Sequence, residues 1–321
     1  MAAHERHTAR RRLAAALSLG FLRIVSWLPL PLARGLALVL ARVAWYAVPR
    51  IRRVGLKNLD LAYGDSLSAG AKRRILRGAV RNVALVAADF SRLPRFNEDP
   101  SLLPVRVEGF EKLREVGNAI YFSGHLGNWE LLGPALARVS PPVAGVVRPL
   151  DNPALNAVVD RYRNAGGFTT LAKDKAGGEM VRRLREGWTT GVLVDQSPRE
   201  NGAPVTFFGQ PCWGTIAPAM LAWRTGLPVI PGFVMREADG GYVFELGDPV
   251  EMVRTGDLLG DLQVNTQRCQ DVVEAMVRRH PDQWLWFHRR WKARPRLEEE
   301  WQARRARARK REGTTDTEER V

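Results

Sequence analysis

The sequence predicts an α/β fold: a central, mostly parallel sheet flanked by helices, with N-terminal membrane-associated helices ahead of it. Three observations carry this. From residue 105 onward, short β-prone apolar runs alternate with longer segments of mixed three- and four-residue apolar spacing. His125, Arg148 and Asp195 each follow one of those apolar runs, where open α/β sheets place their ligand contacts. Residues 13–48 are strongly apolar, yet Arg23, Arg34 and Arg42 interrupt them and Pro29 and Pro31 split them.

In chain order, residues 1–12 are basic and polar and read as a surface or disordered segment. Neither half of 13–48 is a clean run of about 20 uncharged residues, which favours one or two helices lying in a membrane interface; a single anchor over 13–32 is the alternative. No small-residue cleavage site marks a secretory signal. Residues 50–63 and 69–90 read as helices, 94–104 as a linker, 105–108 as an alternating strand and 110–115 as a short helix. The run at 119–122 is a strand and 129–137 a helix, with Gly124 and Gly127 marking the turn between them. Strands follow at 143–147, 191–194, 228–235 and 242–246. Helices follow at 153–164, capped by Asn152 and opened by Pro153, and at 177–186, 216–224 and 258–279. From residue 298 the chain is charge-dense, a charged helix passing into a disordered tail over 313–321. The domain organisation is therefore 1–12, the apolar 13–48, an α/β domain over 49–297, and the charged 298–321.

At 321 residues the chain can bury a substantial core. Its net charge of +15 suits anionic membranes, acidic proteins or nucleic acid. Cys212 and Cys269 lie far apart, with neither the spacing of a structural zinc site nor that of a disulfide framework, and a reducing compartment follows. Among ten tryptophans, Trp27 and Trp45 flank the apolar runs, while Trp284, Trp286 and Trp291 alternate with basic residues. Tryptophan beside arginine suits a membrane interface, and it suits core packing too.

The segment Ser123-Gly124-His125-Leu126-Gly127-Asn128-Trp129-Glu130 sets a histidine at a strand exit and a carboxylate on the first turn of the next helix. A neutral imidazole there takes a proton from a hydroxyl, and a carboxylate on its other nitrogen fixes the tautomer. The same spacing suits a loop histidine paired with a nearby Glu. No serine or cysteine in the segment is an evident nucleophile, so the substrate's own hydroxyl is the natural attacker. The oxyanion formed needs donors, with backbone groups around Gly124 or Gly127, or Arg148, as candidates.

These segments together resemble the lysophospholipid acyltransferase superfamily, and within it the late acyltransferases of lipid A biosynthesis, of lauroyl or myristoyl type. HLGNWE is similar to that family's His-x4-Asp/Glu signature. Arg148-Pro149-Leu150-Asp151-Asn152-Pro153 resembles its second block. Asp195-Gln196 with Val205-Thr206-Phe207-Phe208-Gly209 resembles the third, Val229 to Phe233 the fourth, and the run from Pro281 to Lys292 its C-terminal ending. The resemblance spans roughly residues 14–295.

It implies acyl transfer from an acyl thioester to a hydroxyl of a lipid A precursor or related glycolipid, at the cytoplasmic face of an inner membrane. His125 would be the base and Glu130 its partner. Asn128, Arg148, Asp195, Phe208, Gly209, His288, Arg289 and Arg290 would contact substrate, with lipid phosphate the target of the last three. Arg148 also suits a strand-end salt bridge to Asp151, and Asp195 a turn cap through Ser197. No metal or bound cofactor is implied. The co-substrate is an acyl-carrier-protein or acyl-CoA thioester, and the partners are that donor, the glycolipid acceptor and the membrane surface. An acyl-CoA-dependent phosphatidylinositol mannoside acyltransferase shares the same motifs. A basic nucleic-acid-binding protein is the reading from another class, but it has no recognisable signature here and leaves the apolar first fifty residues unexplained; no nucleic-acid partner is expected. Lys173, Lys175 and the basic run 304–311 read as solvated surface.

Overall fold

The computed structural model describes residues 16–96, 98–109, 116–139, 142–147, 149–150, 152–172 and 176–318. The expected basic segment 1–12, the helix over 110–115, Arg148, Asp151, Lys173 and Lys175 lie outside the described residues.

Two helices open the described chain, α1 (Ala16–Trp27) and α2 (Leu30–Ala47), broken at the predicted proline pair. They are followed by α3 (Pro49–Tyr63), α4 (Ala69–Phe90) and the single turn α5 (Leu93–Phe96). Ser68 caps α4 by accepting the Ala71 N–H. The small residues Ala33, Ala37 and Ala41 recur every fourth position along α2 and are buried, which lets α2 lie close against α4. Two arginines clasp the end of α1: Arg92 donates to the Ser26 and Leu28 carbonyls and Arg95 to that of Ser26. Carbonyls at a helix C-terminus lack intrahelical partners and carry negative partial charge, so cations suit them.

The sheet has seven strands: β1 (Val105–Glu108), β2 (Ile120–Ser123), β3 (Val143–Val147), β4 (Phe168–Ala172), β5 (Thr189–Leu193), then, past a hairpin, β8 (Val229–Arg236) and β9 (Tyr242–Leu246). Their order is β1-β9-β8-β2-β5-β3-β4, and every neighbouring pair is parallel except β8 with β9. The crossover helices are α6 (Leu132–Val139), α7 (Pro153–Ala165), α8 (Ala176–Arg185) and α9 (Ala217–Thr225). β2 lies at the centre with all four residues buried, as a strand covered by helices on both faces must be.

Three elements differ from expectation. β4 is an edge strand, and its sequence FTTLA alternates too little to declare itself. The hairpin of β6 (Gly202–Phe207) and β7 (Gln210–Thr215) is antiparallel and separate from the main sheet; Pro204 and Pro211 mask its strand character. After α10 (Leu258–Arg279), helix α11 (Pro295–Glu318) continues through residues 313–318, where the composition predicts a tail. Leu297 and Trp301 seat its first turns on the hairpin's core cluster.

Candidate active site

β2 and β5 run parallel and in register, with Ser123 opposite Leu193. Two residues beyond each lie His125 and Asp195, so the sheet itself brings them side by side. Asp195 Oδ1 accepts from His125 Nδ1 at 2.8 Å. Oδ2 accepts from the His125 backbone N–H and from the Trp284 indole N–H, both at 2.8 Å. Asp195 is completely buried, and burial alone would raise its carboxyl. Electrostatic interaction and hydrogen bonds with His125, then the influence of His288, outweigh burial and hold the group well below the usual carboxylate range. An ionised carboxylate only accepts, so the Nδ1 facing it carries the proton, and in the neutral imidazole Nε2 then keeps its lone pair. The side-chain amide of Gln196 lies 3.2 Å from that Nε2 and donates to it. The Trp129 ring stands beside the imidazole at 5.4 Å between centroids.

The loop carrying His125 is fixed by its backbone. Gly127 adopts φ +59°, and a Cβ there would stand 2.1 Å from the Val234 carbonyl oxygen, so only glycine fits. Its N–H is spent on the Gln283 carbonyl at 3.2 Å, which removes it as the expected oxyanion donor.

Other expected site residues fall elsewhere. Glu130 is expected on the second imidazole nitrogen, but Asp195 holds that place. Both Glu130 oxygens instead accept from Arg163 of α7, at 2.8 and 2.9 Å. Burial lowers the Arg163 guanidinium, and the hydrogen bond and charge of Glu130 overcome it, for a net rise. Asn128 is buried: its N–H donates to the Val234 carbonyl at 2.7 Å and its Nδ2 to the Tyr242 hydroxyl at 2.8 Å, which makes it a tie of the loop rather than a surface for substrate. Phe208 and Gly209 form the two-residue turn between β6 and β7, both with positive φ, as such hairpins require. Phe208 packs against Tyr63 and Trp286, and Arg278 covers its ring.

Of the basic triplet, Arg289 alone faces solvent. Arg290 is fully buried over the Phe207 ring, donating to the Trp213 carbonyl at 2.6 Å and to Gln270 Oε1 at 2.7 Å. Gln270 passes the contact on to the Val194 carbonyl, directly before Asp195. Arg290 thus braces the strand end instead of meeting lipid phosphate. His288 donates Nδ1 to the Leu285 carbonyl at 2.7 Å and packs on Trp284. Burial lowers its pKa against the pull of Asp195, so it stays neutral.

Trp284, Gln196 and Arg163 hold site positions that the sequence reading gave no role. Trp284 and Gln196 lie within the family-like motifs, but which group each touches depends on contacts across many residues of chain. Arg163 lay inside an ordinary helix. Neither cysteine suits a nucleophile: burial pushes the Cys269 thiol up to about 12 and also raises that of Cys212.

The chain is 27% identical to a lipid A biosynthesis acyltransferase of Haemophilus influenzae over 251 residues, 75% of this chain and 78% of that one. It is 26% identical to the lipid A biosynthesis lauroyltransferase of Escherichia coli over 294 residues, 87% of this chain and 91% of that one. A phosphatidylinositol mannoside acyltransferase of Mycobacterium tuberculosis matches at 26% over 175 residues, 53% of each chain. With residues 3–293 matching the family model for bacterial lipid A biosynthesis acyltransferases, the chain belongs to that family and is an O-acyltransferase.

Proposed function

We propose that this protein transfers a fatty acyl group from acyl carrier protein to a hydroxyl of a lipid A precursor at the cytoplasmic face of the inner membrane, with His125 as general base. The observation that carries the reading is the His125 and Asp195 pair at adjacent parallel strand ends, with the lone pair of Nε2 turned to the exposed Gln196. An alcohol is a weak nucleophile at neutral pH, and removing its proton as the bond forms is worth roughly 10²–10⁴-fold. The acceptor hydroxyl takes the place of the Gln196 amide at Nε2. Its oxygen attacks the thioester carbonyl while its proton passes to the imidazole, and Asp195 stabilises the imidazolium. Collapse of the tetrahedral intermediate breaks the carbon–sulfur bond, and the imidazolium returns the proton to the departing thiolate. An ester and a free thiol result, without an acyl-enzyme.

The lipid surface enters through the first two helices. Leu32, Val39, Val43 and Tyr46 form an exposed stripe on α2 opposite its packed alanine face. Leu17, Ile24 and Trp27, the last 81% exposed, do the same on α1. α2 is long and apolar enough to cross a bilayer by length and composition. One face is already committed to α4, however, so the helix pair lies along the interface with its free stripe in the acyl region.

The test is product mass spectrometry with purified protein, pairing acyl-carrier-protein and acyl-CoA donors with a lipid A precursor and a mannosylated phosphoinositide. We expect the carrier-protein thioester and the lipid A precursor to be used. His125→Ala should cut the rate by roughly 10²–10⁴-fold with circular dichroism unchanged. Near wild-type turnover in that variant would overturn the mechanism. The mannosylated acceptor is the second reading, favoured by the mycobacterial relative alone.

A further inference from the structure

Asp89 lies at the end of α4, completely buried, and its carboxylate gathers three other parts of the chain. Arg34 of α2 donates Nε to Oδ1 at 2.8 Å and Nη2 to Oδ2 at 3.1 Å. Arg236, ending β8, donates Nη2 to Oδ2 at 3.0 Å, and Tyr242, opening β9, donates its hydroxyl to the same oxygen. That hydroxyl accepts from Asn128 Nδ2, three residues past His125. An unbroken line of hydrogen bonds therefore runs from α2 to the loop of the base. Burial, then the charge of Asp89, pushes the Tyr242 phenol up, which keeps it protonated as donor and acceptor at once.

Packing alone does not require this line. The alanine face already seats α2 on α4, and apolar groups often hold two elements as well as a buried ionic cluster does. What the cluster adds is geometry. Asn128 Oδ1 is buried with no hydrogen-bond partner among the described residues, so among them the amide of Asn128 is oriented through Tyr242. Arg34 is anchored a second time on the Gly240 carbonyl at 2.9 Å, in the turn that leads into β9.

We propose that Asp89 and Tyr242 are positioning residues that make the seating of α2, the helix bearing the lipid-facing stripe, a condition for the working shape of the His125 loop. The proposal rests on the reading of His125 as the base. Loss of the line affects turnover rather than thioester binding, because it moves the base and leaves the sheet and its other loops in place.

The test is hydrogen–deuterium exchange by mass spectrometry on the full chain bound to phospholipid vesicles, with steady-state kinetics alongside. Tyr242→Phe removes one hydroxyl, and Arg34→Gln removes the cation at the far end of the line. Each should raise exchange in segment 124–131 about tenfold, the worth of one hydrogen bond in a charged cluster. Each should lower kcat by a similar factor with the thioester KM unchanged. The double variant should do no more than the stronger single one, as members of one line must. Unchanged exchange in that segment for Arg34→Gln, or effects that multiply in the double variant, would overturn the proposal. Exchange needs no substrate, so a protein that transferred no acyl group would defeat the proposed function while the exchange result still decided the line.

Discussion

Asp195 grips His125 at both Nδ1 and the backbone N–H, while Glu130 is committed to Arg163 of α7. The five-residue spacing to Glu130 draws attention because it is local. The partner seventy residues away is set by parallel register, which the chain does not display until β2 and β5 pair. Replacing Asp195 with Asn puts an amide opposite Nδ1. An amide that donates there moves the ring proton to Nε2 and removes the lone pair the proposed base needs. Asp195→Asn should therefore lower kcat by roughly 10³–10⁴-fold, the scale of tautomer reversal in a histidine–aspartate pair.

The same substitution has a stability signature whose sign follows from linkage. The folded-state pKa of Asp195 is depressed, so its contribution is fully present above the ordinary aspartate value of about 4 and is lost as pH falls through the depressed value. Urea unfolding of wild type and Asp195→Asn should differ by a constant amount at neutral pH and converge on acidification. A gap that widened below pH 4 would contradict this account. Gln196→Ala removes the amide that occupies Nε2 and frees it for the hydroxyl; a fall of more than about tenfold in kcat would show that the amide takes part in the reaction instead of merely covering the base.

At the scale of elements, α2 presents two faces with different duties. Ala33, Ala37 and Ala41 are buried towards α4, while Leu32, Val39, Val43 and Tyr46 are exposed. The apolar character of this stretch was legible, and so were the strands β2, β3, β5, β8 and β9, each a short apolar run between turn residues. Which face packs was not legible, since a helix apolar all round gives no preferred side. The hairpin stayed hidden behind its prolines, and the brace from Arg290 to Val194 behind a motif that reads as a surface cation cluster. The two faces respond to substitution differently. Val39→Glu with Val43→Glu should abolish flotation with zwitterionic vesicles while thermal stability stays close to wild type, since surface changes usually fall within about 0.5 kcal/mol. Ala37→Leu should keep flotation and lose about 1–3 kcal/mol by overpacking against α4. Flotation retained by the double glutamate variant would take the stripe out of the bilayer.

For the whole molecule, the surplus of fifteen positive charges has a place to act. Arg42, Arg50, Arg53, Lys57, Arg73, Arg74 and Arg81 are exposed on α2, α3 and α4 and have no ion pair among the described residues. They belong to the same helical layer as the apolar stripe, and Arg52 and Arg77 flank the Trp45 ring at its end. An anionic leaflet attracts such residues with about 1 kcal/mol each when they lie near its surface, and the attraction falls off within a Debye length of about 10 Å at 0.1 M salt. Binding should therefore have two components. The charge-dependent one should vanish on vesicles of zwitterionic lipid and weaken steadily with salt, while the apolar one should persist under both conditions. A nucleic-acid partner would give the same salt dependence in extracts but would make sedimentation with membranes sensitive to nuclease, which a direct lipid contact is not. Flotation of purified protein across a salt series, on anionic and neutral vesicles, separates the components. Complete release by salt from both kinds of vesicle would mean that charge alone holds the protein down, and that the apolar stripe on α1 and α2 serves some other surface.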